Sequence, residues 1–257
     1  MIILGYGLAL LIGLSLGLLG GGGSILTVPV LHYVLGYGVK EAIPMSLVVV
    51  GLTSGVGAVL HARGAQVNWR AALAFGPPAI VGALLGAELG LRAAAGIQLA
   101  VFALVLLAAA ISMLRPRGDG ARPVYGDSSA PGRRLPFVTL IGAMVGVLTG
   151  FVGVGGGFLY VPALVQLGGL NMKEAVGTSL VLILSSCAAA VVRYHGPLTF
   201  DWGAIALFSG IAFVGVAAGS RLVKHAAQPA LRKGFAVLLF VMGGAVLLRV
   251  LSAGSAP

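Results

Sequence analysis

Long apolar blocks alternate with short polar or glycine-rich breaks along this chain, and the pattern predicts helices throughout. In the first half, apolar helices are expected at about 2–19, 25–36, 41–62, 69–91 and 96–114. In the second half they are expected at about 136–152, 158–169, 174–195, 202–223 and 230–250. The segment 115–135 is rich in Arg, Asp, Gly, Pro and Ser and reads as a linker between a first unit (1–114) and a second (136–257). The two short segments span about 12 residues, or roughly 18 Å at 1.5 Å per residue, too short to cross a bilayer comfortably. Each is either a thin tilted crossing or a half-helix that dips in and returns.

The two halves repeat each other. Residues 17–31 read GLLGGGGSILTVPVL and residues 150–164 read GFVGVGGGFLYVPAL, and Pro29 and Pro162 are 133 positions apart. The same offset pairs Gly20 with Gly153, Lys40-Glu41-Ala42 with Lys173-Glu174-Ala175, Ser46-Leu47-Val48 with Ser179-Leu180-Val181, and Trp69 with Trp202. A duplicated apolar unit whose helices are broken by glycine and proline points to a secondary transporter.

Composition sets the class. The chain is 59% hydrophobic and 9% charged, against about 25% charged in soluble domains. This is the profile of an all-α polytopic membrane protein. A net charge of +10 would suggest nucleic acid in a soluble protein. Here the basic residues fall in the breaks between apolar runs, so membrane orientation accounts for them and no nucleic-acid partner is expected. The lone cysteine, Cys187, allows neither an internal disulfide nor a Cys-rich metal site, and no cofactor is expected. The N-terminus is apolar with no Lys or Arg before Lys40, so it reads as a retained membrane segment.

Charge also orients the halves. With four crossings per repeat the halves are parallel, and only nine of sixteen Lys and Arg share the linker's side. With an odd number of crossings the halves are inverted. Then Arg63, Arg70, the five linker arginines, Lys173, Arg221, Lys224, Arg232 and Lys233, twelve of sixteen, lie together. The positive-inside rule favours the second arrangement, with that side cytoplasmic and both termini outside. The expected fold is therefore two homologous repeats in inverted topology. Each has a glycine-rich broken helix or re-entrant hairpin plus three long transmembrane helices. Five crossings and three plus a hairpin place every loop alike, so charge does not choose between them.

The glycine breaks carry the candidate chemistry. Unwound backbone inside a membrane is tolerated where it is buried in protein or lines a wet cavity. Its N–H groups and the helix N-terminus beyond it suit an anion. Gly20, Gly21, Gly22, Gly23 and Ser24 form one tip, and Gly153, Val154, Gly155, Gly156 and Gly157 the other. Inverted repeats would bring the tips together near the midplane. Ser46, Thr178 and Ser179 are candidate hydroxyl ligands, with Thr53, Ser54, Ser185 and Ser186 on the same helices; the competing account is a back-bond to a helix carbonyl. Arg193 and His195 could attract an anion at the mouth or simply sit at the interface. Glu88 precedes Arg92 by four residues, the spacing of a helix ion pair. Asn68 and Asp201 read as N-caps ahead of Trp69 and Trp202 as interfacial anchors. Cys187 reads as a small apolar filler. No ATP-binding loop, zinc-protease motif or intramembrane serine-protease motif occurs, so no enzyme is expected.

GVGGGFLYVPAL at 153–164, its degenerate copy GGGGSILTVPVL at 20–31, and KEAVGTS at 173–179 resemble the TauE/SafE family of bacterial membrane transporters. The resemblance extends over nearly the whole chain except the linker. It implies movement of sulfite, sulfoacetate or other organosulfonates across the bacterial inner membrane, with a small sulfur-containing anion and the lipid bilayer as partners, and it leaves a homodimer open. The first copy departs at Gly21, Ser24 and Pro44-Met45, so the two half-sites are not expected to be equivalent. A passive anion facilitator and a non-transporting membrane accessory protein are the other readings.

Overall fold

A computed structural model of the chain describes residues 2–114, 135–152, 157–166, 168–194 and 201–254. All regular structure among them is helical. The first repeat comprises α1 (Ile2–Leu19), α2 (Ser24–Pro29, continued by a π-helical turn Val30–Val34), α3 (Val39–Arg63), α4 (Trp69–Arg92) and α5 (Ala95–Leu114). The second comprises α6 (Leu135–Val152), α7 (Gly157–Gln166), α8 (Met172–Tyr194), α9 (Trp202–His225) and α10 (Gln228–Gly254). Every helix of the second repeat begins 133 residues after its counterpart, so the duplication in sequence is a duplication in structure. Among the described residues, six helices (α3, α4, α5, α8, α9 and α10) are long and apolar enough to cross a membrane. Large apolar side chains such as Leu73, Val192 and Leu248 project outward, as lipid-facing residues do.

Matching extends to the breaks. Gly20 ends α1 in the left-handed conformation (φ +70°), where a Cβ would be strained. Gly36 (φ +83°) and its counterpart Gly169 (φ +75°) follow the two short helices. There, Leu35 N donates to Val30 O and Tyr37 N to Leu31 O, as Gly168 N donates to Ala163 O and Leu170 N to Leu164 O. Pro29 and Pro162 lie inside the short helices. Proline lacks an N–H and crowds the carbonyl four residues back, and after Pro29 the helix widens into its π-turn.

The largest helix pairings all join one repeat to the other: α4 with α6, α1 with α9, α5 with α10, α3 with α8. Exchanging the repeats maps these pairings onto themselves, which is a two-fold relation. Glycine lets backbones close on each other at two of these seams. A Cβ on Gly13 would strike the Ala212 carbonyl and one on Gly17 the Val216 carbonyl, so α1 and α9 run parallel. Gly146 and Gly150 meet Ala79 and Ala83 in the same way, so α6 and α4 also run parallel. By contrast, Gly51 faces Cys187, Gly55 faces Leu184 and Gly57 faces Leu180, so the equivalent helices α3 and α8 run antiparallel.

Polar contacts then define the two ends of the bundle. At one end Asn68 N donates to Thr178 Oγ1 (2.9 Å), Met172 N to Gln228 Oε1 (3.3 Å) and Arg232 Nε to Met113 O (2.8 Å). Helix ends carrying Arg63, Arg70, Lys173, Arg232 and Lys233 gather there. At the other end Lys40 Nζ donates to Gly90 O (2.8 Å) and Ala93 O (2.5 Å), closing the C-terminal carbonyls of α4.

Candidate functional site

The glycine turn after α1 closes on itself before α2 begins. Ser24 N and Oγ both donate to Gly21 O (3.2 and 2.6 Å), and Leu26 N donates to Gly23 O. Every residue of the turn is buried. Gly23 presses on Ile12 O and Leu16, and Gly22 on Leu19 and Leu238. Gly21 lies against the other repeat: a Cβ there would collide with the Gly157 carbonyl carbon and with Phe158 N. A Cβ on Gly157 would in turn strike Gly21 Cα and Ile183. The two broken helices therefore meet, backbone to backbone, beside Ile183 near the middle of α8.

One face of α8 lines this junction. A Cβ on Gly20 would lie 2.6 Å from Ser179 Oγ and 3.2 Å from Val176 Cα. Ile183 meets Gly157, and Ser186 Oγ is 2.6 Å from Tyr160 OH. Residues 176, 179, 183 and 186 follow helical spacing, so a single stripe carries both hydroxyls past the tips. Ser179 Oγ donates to Val176 O (2.8 Å), and its counterpart Ser46 Oγ donates to Ile43 O (2.7 Å). The back-bond weighed against a ligand role is thus present in both copies. Thr53 and Ser185 make it too, whereas buried Ser54 Oγ has no hydrogen-bond partner among the described residues.

Two candidates point elsewhere. Thr178 Oγ1 accepts the Asn68 N–H and ties α8 to the start of α4. Arg193, exposed at the end of α8, donates through Nε to Glu88 Oε2 (2.7 Å) and also pairs with it through Nη2. Arg92 Nη2 holds the other oxygen, Oε1, at 2.7 Å, so the i,i+4 pair expected from sequence exists and Arg193 joins it from the other repeat. Gly153, Val154, Gly155, Gly156 and His195 lie outside the described residues, as does the linker over 115–134.

The sequence model of the sulfite exporter TauE/SafE family matches residues 6–246. The chain belongs to this family. A probable membrane transporter protein of Xylella fastidiosa is 33% identical over 193 residues, covering 75% of this chain and 73% of its own. One from Methanocaldococcus jannaschii is 28% identical over 197 residues, covering 73% and 71%. The probable membrane transporter protein MamO of Magnetospirillum gryphiswaldense is 26% identical over 260 residues, covering 86% of this chain and 41% of MamO. No solved structure matches the chain significantly. Family and relatives are membrane transporters, not enzymes, and this TauE/SafE protein is a multi-pass membrane transporter.

Several side chains that hold the glycine junction of this TauE/SafE protein together were not singled out as candidates in the sequence. Among the described residues Tyr160 is the largest fully buried side chain, and Thr27 stands at its position in the first repeat. A hydroxyl in both copies of an otherwise apolar helix was the available signal. Buried His61 places Nε2 3.0 Å from Gly17 O, in the last turn of α1. Buried Gln98 donates Nε2 to Phe151 O (2.8 Å), in the last turn of α6. Each supplies a partner to a carbonyl at a helix end next to a glycine tip. Asn68 and Asp201 are N-caps as expected, accepting from Ala71 N and Ala204 N at 3.0 Å each. Trp69 and Trp202 beside them are each 57% exposed.

Proposed function

We propose that this TauE/SafE transporter is a secondary carrier of small sulfur-containing anions, such as sulfite, sulfoacetate or related organosulfonates, in the bacterial inner membrane. The anion binds where the two glycine tips meet, and the repeats rock to expose it alternately to the two sides. The carrying observation is the backbone contact between Gly21 and Gly157. The buried Gly20–Gly23 turn, meeting the start of α7 inside a membrane, presents peptide groups to a site between the repeats. Ser179 beside Gly20 adds a hydroxyl, and Ser46 holds the equivalent place in the other half-site. In the present state their protons serve helix carbonyls, so each must rotate toward a bound oxyanion. Arg193, shared with Glu88, adds an attractive field at one mouth.

The repeats are inverted in this reading. Antiparallel packing of the equivalent helices α3 and α8 supports it, because a two-fold axis perpendicular to a helix reverses its direction. Charge supports it as well. Arg63, Arg70, Lys173, Arg221, Arg232 and Lys233 belong to one end of the bundle, against Lys40, Arg92 and Arg193 at the other. The former end is cytoplasmic and both termini are outside. The short segment of the first repeat returns along the helix before it, which favours three crossings plus a re-entrant hairpin per repeat. Val30 and Leu31, late in the first repeat's short segment, pack with Ala9 and Ile12, early in α1.

Labelled sulfite uptake into proteoliposomes tests the function. Saturable uptake, inhibited by sulfoacetate and taurine and indifferent to chloride, is expected. Uptake that rises linearly with concentration would replace the carrier by a passive facilitator. Uptake no greater than in empty liposomes, with the protein folded, would remove these anions as substrates.

A further inference from the structure

A second depression lies away from the glycine tips, at the basic end of the bundle. It has a volume of about 220 Å³ and sits between the end of α7 and the starts of α8 and α10. Val165, Leu170 and Pro229 wall it, and Asn171, Gln228 and Arg232 bring polar groups to it.

The orientation of those groups is what matters. Asn171 Oδ1 accepts the Glu174 N–H (2.9 Å), and Gln228 Oε1 accepts the Met172 N–H (3.3 Å). Each amide oxygen is therefore turned toward a backbone donor. The NH2 group of half-buried Asn171 and that of exposed Gln228, which can only donate, have no acceptor among the described residues. Arg232 anchors its Nε on Met113 O and carries its positive charge at the same wall. The first turns of α8 and α10, long helices both, begin here and add positive partial charge. Lys173 in the first turn of α8 and Arg232 and Lys233 in the second turn of α10 outnumber Glu174. A concavity that offers NH2 donors and positive charge, with its amide oxygens turned onto backbone N–H groups, is complementary to an anion.

We infer that this depression is a binding site for a small inorganic oxyanion of the sulfate or phosphate class, separate from the glycine tips. Amide NH2 groups of Asn171 and Gln228 grip two oxygens and Arg232 supplies the charge. Because the end of α7 forms one wall, occupancy is felt by the broken helix of the second repeat.

Asn171→Asp with Gln228→Glu isolates the claim. Both changes keep the oxygen that accepts the backbone N–H and replace the NH2 donor by an anionic oxygen. The full-length protein in detergent is titrated calorimetrically with sodium sulfate, phosphate and sulfite at constant ionic strength, with chloride as the reference anion. The expected result is saturable oxyanion binding, weakened about tenfold or more in the double variant, with an unchanged or higher melting temperature. Arg232→Gln should lose binding similarly and Arg232→Lys should retain part of it. Wild-type protein that binds no oxyanion would overturn the inference. So would a double variant that binds like wild type, since that signal would then belong to the glycine tips. Stronger binding of phosphatidylglycerol micelles than of sulfate would overturn the assignment to a free anion in favour of a lipid headgroup.

Discussion

Gly21 and Gly157 touch backbone to backbone, across two repeats and between two interrupted helices. Their offset counterparts are Val154 and Ser24, which carry side chains, so the junction is asymmetric although the repeats are not. The contact has no room for a Cβ at either partner. That constraint makes the junction directly testable.

Gly21→Ala should part the tips, because the colliding atoms are backbone and cannot swing aside. Overpacking of this kind costs about 1–3 kcal/mol or more. The expected outcome is a lowered melting temperature and loss of saturable uptake. Gly210→Ala, where a Cβ meets nothing within 4 Å, should change neither. Equal behaviour of the two variants would refute the close approach.

Tyr160→Phe removes one half of a fully buried hydroxyl pair and leaves Ser186 Oγ without it. A buried polar group deprived of its partner costs about 1–3 kcal/mol. Adding Ser186→Ala should recover part of the loss, since both polar groups are then gone. Chemical denaturation of Tyr160→Phe, Ser186→Ala and the double variant in matched detergent measures the coupling. Strictly additive losses would mean that the pair does not interact.

Glu88 pairs with two arginines, Arg92 from its own helix and Arg193 from the other repeat, and offsets one of their two charges. Glu88→Gln should leave both cations uncompensated at that mouth with little effect on folding, because exposed ion pairs contribute little. Initial anion uptake at low ionic strength should rise roughly two- to tenfold. The gain should fade as the screening length falls below about 10 Å, near 0.1 M salt and above. A salt-independent change would point to altered structure instead of altered field.

Asp201 links the repeats through Tyr37, whose hydroxyl donates to Asp201 Oδ2 at 2.6 Å. The Ala204 N–H first, and Tyr37 second, hold its carboxyl below the ordinary aspartate value. A depressed folded pKa gives stability that is fully present above the unfolded value, about 3.9. That stability is lost as pH falls through the folded value. Tyr37→Phe should move the folded value back up, so the acid-linked loss becomes smaller and is complete at a higher pH. Melting curves between about pH 2 and 6 read both effects. Identical acid profiles would show that the hydroxyl does not reach the carboxylate in solution.

Much of the architecture was legible because its signals are local. Glycine and proline mark the breaks, and the 133-residue offset doubles every signal, so helix starts come within about two residues of the structure. The caps at Asn68 and Asp201 were legible for the same reason. Partners across the bundle were not. Apolar periodicity shows that a helix has a buried face, not which helix covers it. Nothing near Lys40 announces that its ammonium closes the end of α4, and nothing near Arg193 announces Glu88. Ser46 and Ser179 stood out as a matched pair, yet sequence could not say whether their protons face a cavity or the helix, and in this state they face the helix.

Parallel packing of α1 on α9, and of α6 on α4, has a consequence for biogenesis. During synthesis α1 finds its main partner only after the stretch beginning at Trp202 has been made. Until then the Gly13–Gly17 groove of α1 must wait in lipid with its seam open. Neither half is therefore complete as a folding unit, and a chain truncated after the linker should be cleared by quality control. Two halves made as separate polypeptides in one cell should still find each other, because each holds the helix that the other's first segment requires.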